Sequence, residues 1–350
     1  MNAISDSQLT RRNACALGAS FFLSSCAGSA DGLRLKALSL LDSKLIYANV
    51  NHNAFTDICI FQGTYYLCFR SCPDGHDIAS SAFIVVLKSS DGVSWVHAYN
   101  FSIDGRDPRD PHFIEFQSRL YIFTGTWSMA HRYNVNYHLG YMVSTTDGVN
   151  WSPPLVMQGT MGMYIWRPLL VNDRVYLTCR KNPPGADSEG AHTESWLLSS
   201  FDCKNWKLDF RIQDVEGDEC APLLINQAEM LILGRRFNDL NSSLIRVNIQ
   251  NKTVNTIQLD YSVGGPLMFR LGGRVYVSGR KIVQGLQPIT VVWELIDGRM
   301  IELFQLPSIG DNGYPGFVPT HSSGGLLSYY SSHGGLKDNT ASIYVAKIGY

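Results

Sequence analysis

Four arginines recur at one position of a repeated pattern in this chain. Arg70, Arg180, Arg235 and Arg280 each end an apolar, β-prone run that follows a tight-turn signal. A guanidinium group binds a carboxylate through two parallel hydrogen bonds. If the fold brings these side chains together, they predict a site for an anionic ligand.

A second set of polar residues stands where the preceding run of each repeat begins. This set comprises Asp57, Asp110, Arg167, Glu219 and Tyr314. Carboxyl groups and a phenol supply the acids, bases and nucleophiles of catalysis. For each charged residue alone, a structural salt bridge is the alternative interpretation. The functional interpretation therefore depends on the elements that position the whole set.

An internal repeat supplies those elements. Six segments each contain two β-prone runs around a tight turn, at residues 55–70, 109–124, 166–180, 219–236, 265–280 and 314–331. Their period of roughly 45 to 55 residues is typical of a four-stranded propeller blade. The pattern predicts an all-β chain folded as a six-bladed β-propeller. In that fold the first strands begin, and the second strands end, on one face around the central axis.

Three repeats carry a second turn signal in phase with the first, at residues 89–95, 145–151 and 200–206. In each, an Asp precedes Gly or an equivalent residue, and a Trp follows. Asp hydrogen-bonds within its own turn, and Gly tolerates a left-handed backbone. These segments resemble the Asp boxes of sialidases and related propellers, which are structural features far from the chemistry.

The two ends of the repeat array predict how the ring closes. Residues 44–48 form a β-prone run before the first repeat, and residues 342–348 form one after the last. Pairing them in one blade would remove an exposed sheet edge. The propeller is therefore predicted to span residues 44–350, closed by its N-terminal strand.

The first 26 residues are interpreted as a lipoprotein signal peptide. Arg11 and Arg12 precede a short apolar stretch, and residues 23–26 resemble a bacterial lipobox that ends at Cys26. The stretch is too short for a transmembrane helix. Cys26 is predicted to carry the lipid, with residues 27–43 as a short tether. The protein is then anchored in the bacterial cell envelope; an ordinary cleaved signal peptide is the alternative.

Composition limits the partners and cofactors. The 350 residues carry a formal net charge of -1, so no nucleic-acid partner is expected. The cysteines lack CxxC spacing, and no metal site or cofactor is predicted. Six of them remain open between buried free thiols and disulfides: Cys59, Cys68, Cys72, Cys179, Cys203 and Cys220. We expect a monomer whose partner is a glycan.

Over nearly the whole predicted propeller, the sequence resembles the sialidase superfamily, and more closely the bacterial exo-α-sialidase-like proteins. Glu219 with Arg235 resembles the family's pairing of the nucleophile's partner with a carboxylate-binding arginine. Tyr314 stands where the family has its nucleophile, and Arg280 where it has another such arginine. Further matching segments are residues 52–57, 109–111, 166–168, 264–266 and 329–333.

The resemblance implies an exo-acting glycoside hydrolase that releases sialic acid or a related acidic sugar. Glu219 would take the proton of Tyr314 as the phenol attacks the anomeric carbon. An acid in the loop after Arg70 would protonate the leaving oxygen. The candidates in that loop are Asp74, His76 and Asp77. The substrate-binding candidates are Arg70, Arg109, Asp110, Trp166, Arg167, Arg235, Arg236 and Arg280.

One segment departs from the family pattern and leaves two other functions open. The family begins its first innermost strand with Arg-Ile-Pro, whereas this chain has Phe55, Thr56 and Asp57 there. Asp57, Asp110 and Glu219 would then form a carboxylate set like that of five-bladed glycosidases. Such a set would serve a glycosidase or a lyase that acts on a neutral or uronic polysaccharide. A noncatalytic propeller that binds glycans is the third interpretation.

Overall fold

The computed structural model describes residues 36–334 and 339–350. They form 24 β-strands in six antiparallel sheets of four strands each. Helix in this part of the chain is limited to three single 3-10 turns: Val135–Tyr137, Phe237–Asp239 and Ser332–Gly334. None of the helices described there is long and apolar enough to cross a bilayer. The predicted signal peptide, Cys26 and the first part of the tether lie outside the described residues.

Each sheet is one blade, which confirms the six-bladed β-propeller. The first strand, β1 (Ser39–Tyr47), belongs to the last blade. The first blade, from its innermost strand outward, contains β2 (His52–Phe61), β3 (Thr64–Cys72), β4 (Phe83–Ser89) and β5 (Val96–Phe101). The second contains β6 (Arg106–Phe116), β7 (Arg119–Ser128), β8 (Leu139–Thr145) and β9 (Leu155–Val156). The third contains β10 (Met163–Val171), β11 (Arg174–Lys181), β12 (Glu194–Ser200) and β13 (Lys207–Gln213).

The remaining three blades follow the same order. The fourth contains β14 (Gly217–Asn226), β15 (Glu229–Arg236), β16 (Ser243–Asn248) and β17 (Thr253–Gln258). The fifth contains β18 (Ser262–Leu271), β19 (Arg274–Ile282), β20 (Ile289–Ile296) and β21 (Arg299–Gln305). The sixth contains β22 (Asn312–His321), β23 (Gly324–Ser331), β24 (Ser342–Gly349) and, outermost, β1.

The hydrophobic core is divided among the interfaces between neighbouring blades. One such core joins Tyr66 and Val86 of the first blade to Phe113 and Ile122 of the second. Aromatic and β-branched side chains suit these pleated, half-buried surfaces. Innermost strands such as β2 are buried along most of their length, whereas an outermost strand such as β17 is largely exposed. The packed blades thus form a rigid support for the loops on the axial face.

The cysteines within the described residues are all free thiols. Cys59 is partly buried, and the other five, Cys68, Cys72, Cys179, Cys203 and Cys220, are buried. Burial raises the pKa of the Cys220 thiol to about 12, so this thiol is unreactive at neutral pH. Of the two alternatives that the sequence left open, the structure has the free thiols.

The ring closes as predicted, through pairing of the first strand with the last. β1 runs antiparallel to β24, with Lys44 opposite Val345 and Ser39 opposite Gly349. The strand begins at Ser39, inside the segment interpreted as a tether. Residues 39–43 of the segment predicted as a tether therefore belong to β1, where they pair with β24.

The three Asp boxes adopt one turn geometry. Asp91, Asp147 and Asp202 each accept hydrogen bonds from two backbone N–H groups that follow them, at 2.8–2.9 Å. The third box has Cys203 at φ +62° where the first has Gly92 at φ +71°. A side chain is therefore accommodated at a left-handed position that usually needs glycine. The degenerate third box is confirmed as a turn of this kind.

Every innermost strand has an irregularity in register at the same place. The pairs of residues that it displaces are Phe55–Thr56, Asp110–Pro111, Trp166–Arg167, Asp218–Glu219, Gly265–Pro266 and Tyr314–Pro315. Four of the leading residues, Phe55, Asp110, Gly265 and Tyr314, have φ values of +61°, +52°, +57° and +51°. Bulges redirect side chains locally, and here they direct side chains from several blades toward the axis.

Candidate active site

A cavity of about 360 Å³ opens where the bulged segments meet, on the face that the sequence predicted. Its aromatic lining residues are Phe55, Trp127, Tyr164, Phe237 and Tyr314. Its acidic lining residues are Asp110, Glu189, Asp218, Glu219 and Asp239, and its basic ones are His76, Arg109, Arg180 and Arg235. A volume of this size falls within the range of small-molecule sites.

Tyr314 and Glu219 meet at the buried end of this cavity. The Tyr314 hydroxyl donates a hydrogen bond of 2.6 Å to Oε1 of Glu219. The other oxygen of Glu219 accepts from Nη1 of Arg235 at 3.0 Å and from the backbone N–H of Gly265 at 2.7 Å. Three donors thus hold the carboxylate in one orientation, with one oxygen directed at the phenol.

The Tyr314 ring is enclosed on several sides. Phe55 and Trp166 pack edge-to-face against it, with ring centroids 4.8 and 5.6 Å away. The guanidinium of Arg280 lies over it, 5.3 Å from the centroid. Burial, followed by the negative charge of Glu219, raises the pKa of Tyr314 well above 10. The phenol is therefore protonated at neutral pH and needs a base such as Glu219 to become a nucleophile.

Asp110 occupies another part of the same buried floor. One oxygen accepts a hydrogen bond from the Tyr164 hydroxyl, and the other is buried without a partner. Burial and the charge of Glu219 raise the pKa of Asp110 to about 7. Because leaving a buried oxygen unpaired costs free energy, a hydrogen bond from a ligand to this oxygen would be favourable.

The arginines in the cavity wall are paired with the chain's own carboxylates. Besides Glu219, Arg235 contacts Asp239 at 2.9 Å and Asp218 at 3.4 Å. Arg180 contacts Glu189 at 2.7 Å and also Asp218. The predicted convergence of arginines is present for Arg235 and Arg180, but their guanidinium groups are shared with acids.

Arg70 and Arg109 hold the backbone of the loop after β3. Both guanidinium groups bond Asp107, which like Arg70 is fully buried. Arg70 also donates to the carbonyls of Gly75 and Asp77, and Arg109 to that of His76. Arg70 was predicted to bind substrate, yet its donors point into the wall, because Asp107 of the next blade lies beside it.

Asp57 and Arg167 form a buried pair that does not line the cavity. Arg167 contacts Asp57 at 3.3 Å and also donates to the carbonyls of Pro266 and Pro315. Burial opposes ionisation of Asp57, but His112 and Arg167 lower its pKa. These residues therefore link blades across the axis, and the alternative carboxylate set loses Asp57 as a member that a ligand could reach.

Five other predicted residues lie away from the cavity. Asp74 accepts from Ser81, and Asp77 accepts from Tyr133 and from the backbone of Ile78. Arg236 pairs with Glu216 in a separate groove. Trp166 and Arg280 lie behind the Tyr314 ring; Arg280 bonds Asp311, Tyr330 and the Asn312 carbonyl. Contacts with the local backbone and with neighbouring blades fix the directions of these side chains. The position of a residue in its strand does not reveal such contacts.

Two histidines and an aspartate form the group in the described residues that is best placed for a metal ion. Ligand atoms of His52, His76 and Asp311 lie within 4.8 Å of one another. However, His52 is buried and its Nδ1 has no partner, whereas metal-bound histidines normally donate from their second nitrogen. The group fits a hydrogen-bonded cluster better than a metal centre, and no metal site is proposed.

The sequence did not identify three residues that shape the site. Tyr164 lies two positions before the Trp166–Arg167 pair, Asp218 directly precedes Glu219, and Asp311 begins the approach to Tyr314. Each flanks a residue that was singled out, so a wider window around the innermost strand starts would have included them. Nothing in their types alone distinguishes them from ordinary turn and strand residues.

Comparisons with known proteins place the fold. No protein-family model matches the sequence, and no curated protein matches it. A protein of unknown function from Dyadobacter fermentans is 18% identical, with a TM-score of 0.74, over 89% of this chain and 99% of that one. Trypanosoma rangeli sialidase in complex with sialic acid is 14% identical, with a TM-score of 0.62, over 86% of this chain and 55% of that one.

A second sialidase gives the same result. The Hadza microbial sialidase Hz136 is 10% identical, with a TM-score of 0.64, over 85% of this chain and 65% of that one. This chain spans about half the length of the Trypanosoma enzyme, 55% of it. At these identities the likeness shows the fold alone: a six-bladed β-propeller of the sialidase type. Function has to be argued from the site.

Proposed function

We propose that this protein is a glycoside hydrolase in which Tyr314 is the nucleophile and Glu219 is its base. The hydrogen bond of 2.6 Å between them, at the floor of an open cavity, carries the proposal. A neutral phenol becomes an effective nucleophile when an adjacent base removes its proton during attack. The neighbouring Asp110, with one buried oxygen unpaired, would bind a hydroxyl of the same sugar.

The reaction would proceed in two displacements. In the first, Oη of Tyr314 bonds to the anomeric carbon and gives its proton to Glu219, while the glycosidic C–O bond breaks and the leaving oxygen takes a proton from an acid. In the second, water attacks the anomeric carbon, the bond to Tyr314 breaks, and Glu219 returns the proton to Tyr314. Two inversions leave the anomeric configuration retained.

The charges of the wall favour an uncharged sugar as the substrate. Five carboxyl groups face the cavity against three guanidinium groups. All three polar nitrogens of Arg235 already face Glu219, Asp218 or Asp239. Phe55 lines the cavity where the family resemblance would place another arginine. Sugar hydroxyls can donate to such carboxylates, whereas an anionic substrate would have to compete with them.

An acidic sugar, such as a sialic acid, is the second candidate. The Tyr–Glu pair favours it, because a neutral phenol is not repelled by a carboxylate on the anomeric carbon, as an aspartate or glutamate nucleophile would be. Binding of such a substrate would require Arg235 to exchange Asp218 or Asp239 for the substrate's carboxylate.

A substrate panel tests the proposal and separates the two candidates. Wild type and Tyr314→Phe are incubated with 4-methylumbelliferyl glycosides of neutral pyranoses and with the corresponding α-sialoside. Cleavage of a neutral glycoside that Tyr314→Phe abolishes is the expected result. Cleavage of the sialoside alone would select the acidic sugar. Binding of glycans without turnover by wild type would refute hydrolysis and favour the noncatalytic interpretation.

A further inference from the structure

We infer that His76, oriented by Asp311, is the general acid and base that protonates the leaving oxygen and later activates water. This inference rests on the proposed glycoside hydrolase function and deepens it. It assigns the proton transfer to an imidazole and names Asp311 as its positioning residue. Three features of the site support it: the position of His76 at the cavity, the hydrogen bonds of Asp311, and the orientation of the competing carboxylates.

His76 lies at the open rim of the cavity, whereas the nucleophile lies at its floor. Its ring packs edge-to-face against Phe55, with centroids 5.6 Å apart, and Phe55 packs against Tyr314. The His76 side chain is 52% exposed, but Glu219 and Asp110 are each 6% exposed. A sugar held at the floor would leave the rest of the glycan at the mouth, where His76 lies.

The hydrogen bonds of Asp311 fix which nitrogen of His76 faces the ligand. Nδ1 of His76 and Nε2 of His52 approach the same oxygen of Asp311, at 2.7 and 2.8 Å. The second oxygen accepts from Arg280 and from Tyr330, each at 2.8 Å. An ionised carboxylate only accepts hydrogen bonds, so both imidazoles must donate to it. Nδ1 of His76 therefore carries a proton, and Nε2 is the atom left for the reaction.

This arrangement completes the proton balance of both steps. In the first, the imidazolium of His76 gives its Nε2 proton to the glycosidic oxygen as the bond to the anomeric carbon breaks. In the second, the bare Nε2 takes a proton from the attacking water and returns to its starting form. Glu219 and Tyr314 exchange only their own proton. The net reaction consumes one water and one glycosidic bond.

The other carboxylates near the rim are not placed for this role. Asp77 bonds Tyr133 and its own loop, and lines a different cavity together with Asp74. Asp239 and Glu189 do line the candidate site, but each is paired with an arginine. A carboxylate held by a guanidinium favours its ionised form, which has no proton to give.

Leaving-group dependence tests the assignment. The experiment compares wild type, His76→Ala, Asp311→Asn, Tyr314→Phe and the control Asp77→Asn on the 2,4-dinitrophenyl and the phenyl glycoside of one sugar that wild type cleaves. Dinitrophenolate departs without a proton, whereas phenolate needs one. We expect His76→Ala to lower kcat/KM for the phenyl glycoside by roughly 10²- to 10³-fold and to change the dinitrophenyl value little.

The variants separate failure of this inference from failure of the proposed function. Asp311→Asn should lower kcat/KM for the phenyl glycoside more than for the dinitrophenyl glycoside, as His76→Ala does, but to a smaller degree. Asp77→Asn should match wild type, and Tyr314→Phe should lose activity on both substrates. Equal losses on both substrates in His76→Ala would overturn the inference while leaving the Tyr314 nucleophile intact. If Asp77→Asn instead loses activity only on the phenyl glycoside, Asp77 is the general acid. Activity of Tyr314→Phe on both substrates would refute the proposed function itself.

Discussion

Replacement of Glu219 by glutamine changes one atom at the centre of the proposed mechanism. The glutamate accepts three hydrogen bonds, from Tyr314, from Arg235 and from the Gly265 N–H. A glutamine retains one acceptor oxygen, which remains best placed against Arg235 and Gly265, the two donors that share Oε2. Its amide NH2 then faces the Tyr314 hydroxyl, and the phenol loses the acceptor for its proton.

The size of the effect follows from the protonation of Tyr314. Its pKa lies well above 10 because of burial and the Glu219 charge, so less than about 10⁻³ of the phenol is ionised at pH 7 without a base. Glu219→Gln should therefore lower kcat by about 10³-fold, equivalent to about 4 kcal/mol in the activation free energy.

The assay is a two-residue cycle on an aryl glycoside that wild type cleaves. Because the two side chains act as one unit, the Tyr314→Phe/Glu219→Gln double variant should be no slower than Tyr314→Phe alone. Glu216→Gln is the matched control, since Glu216 pairs with Arg236 outside the cavity and should have wild-type turnover. Thermal unfolding checks that each variant is folded. Additive losses, or Glu219→Gln within tenfold of wild type, would refute the base assignment.

Three further predictions follow from burial and from the N-terminal sequence. Burial and a neighbouring negative charge raise the pKa of Asp110 to about 7, so its stabilising contribution is complete below about pH 4 and is lost as the pH rises through 7. Asp110→Asn should accordingly raise the Tm at pH 8, by the equivalent of at most about 4 kcal/mol, and change it little at pH 4; an equal change at both pH values would contradict this. Asp107→Asn should lower the free energy of unfolding in chemical denaturation by about 3–5 kcal/mol, because Arg70 is left buried without its counter-ion. The control Asp214→Asn, at an exposed position, should have little effect, and equal stabilities of the two variants would contradict this expectation. Cys26→Ser should move the protein from the membrane fraction to the soluble fraction of a bacterial host, and an unchanged distribution would exclude the lipid anchor.

Much of the fold was predictable because it repeats. The turn signals and β-prone runs of six blades stay in phase along the chain, so errors at one blade are corrected by the next. The third Asp box was recognisable despite Cys203, since the Asp202 and Trp206 positions were retained. Ring closure followed from a β-prone run at each end that had no other partner, although the strand begins at Ser39.

The site was less predictable because side-chain direction depends on neighbours from other blades. The arginines that appeared to recur at one position differ in register: Arg70 pairs with Ala54 beside its bulge, whereas Arg235 lies opposite the bulge of its blade. Successive strand residues point to opposite faces, so Arg235 reaches the cavity while Arg70 meets Asp107 in the wall. In the loop after β3, a bond to the backbone of Ile78 directs Asp77 away from the cavity. Asp311 lies far along the chain from His76, and no short motif connects them.

Closure of the ring also sets the order of events during synthesis. Ser39 and Gly349, which are bonded across β1 and β24, are 310 positions apart in the chain. Strand β1 therefore waits unpaired during synthesis until β24 has been made. Five blades can assemble while this edge stays open, and open edges invite pairing with other chains. Loss of a few C-terminal residues would thus be expected to turn an early strand into a persistent site of aggregation.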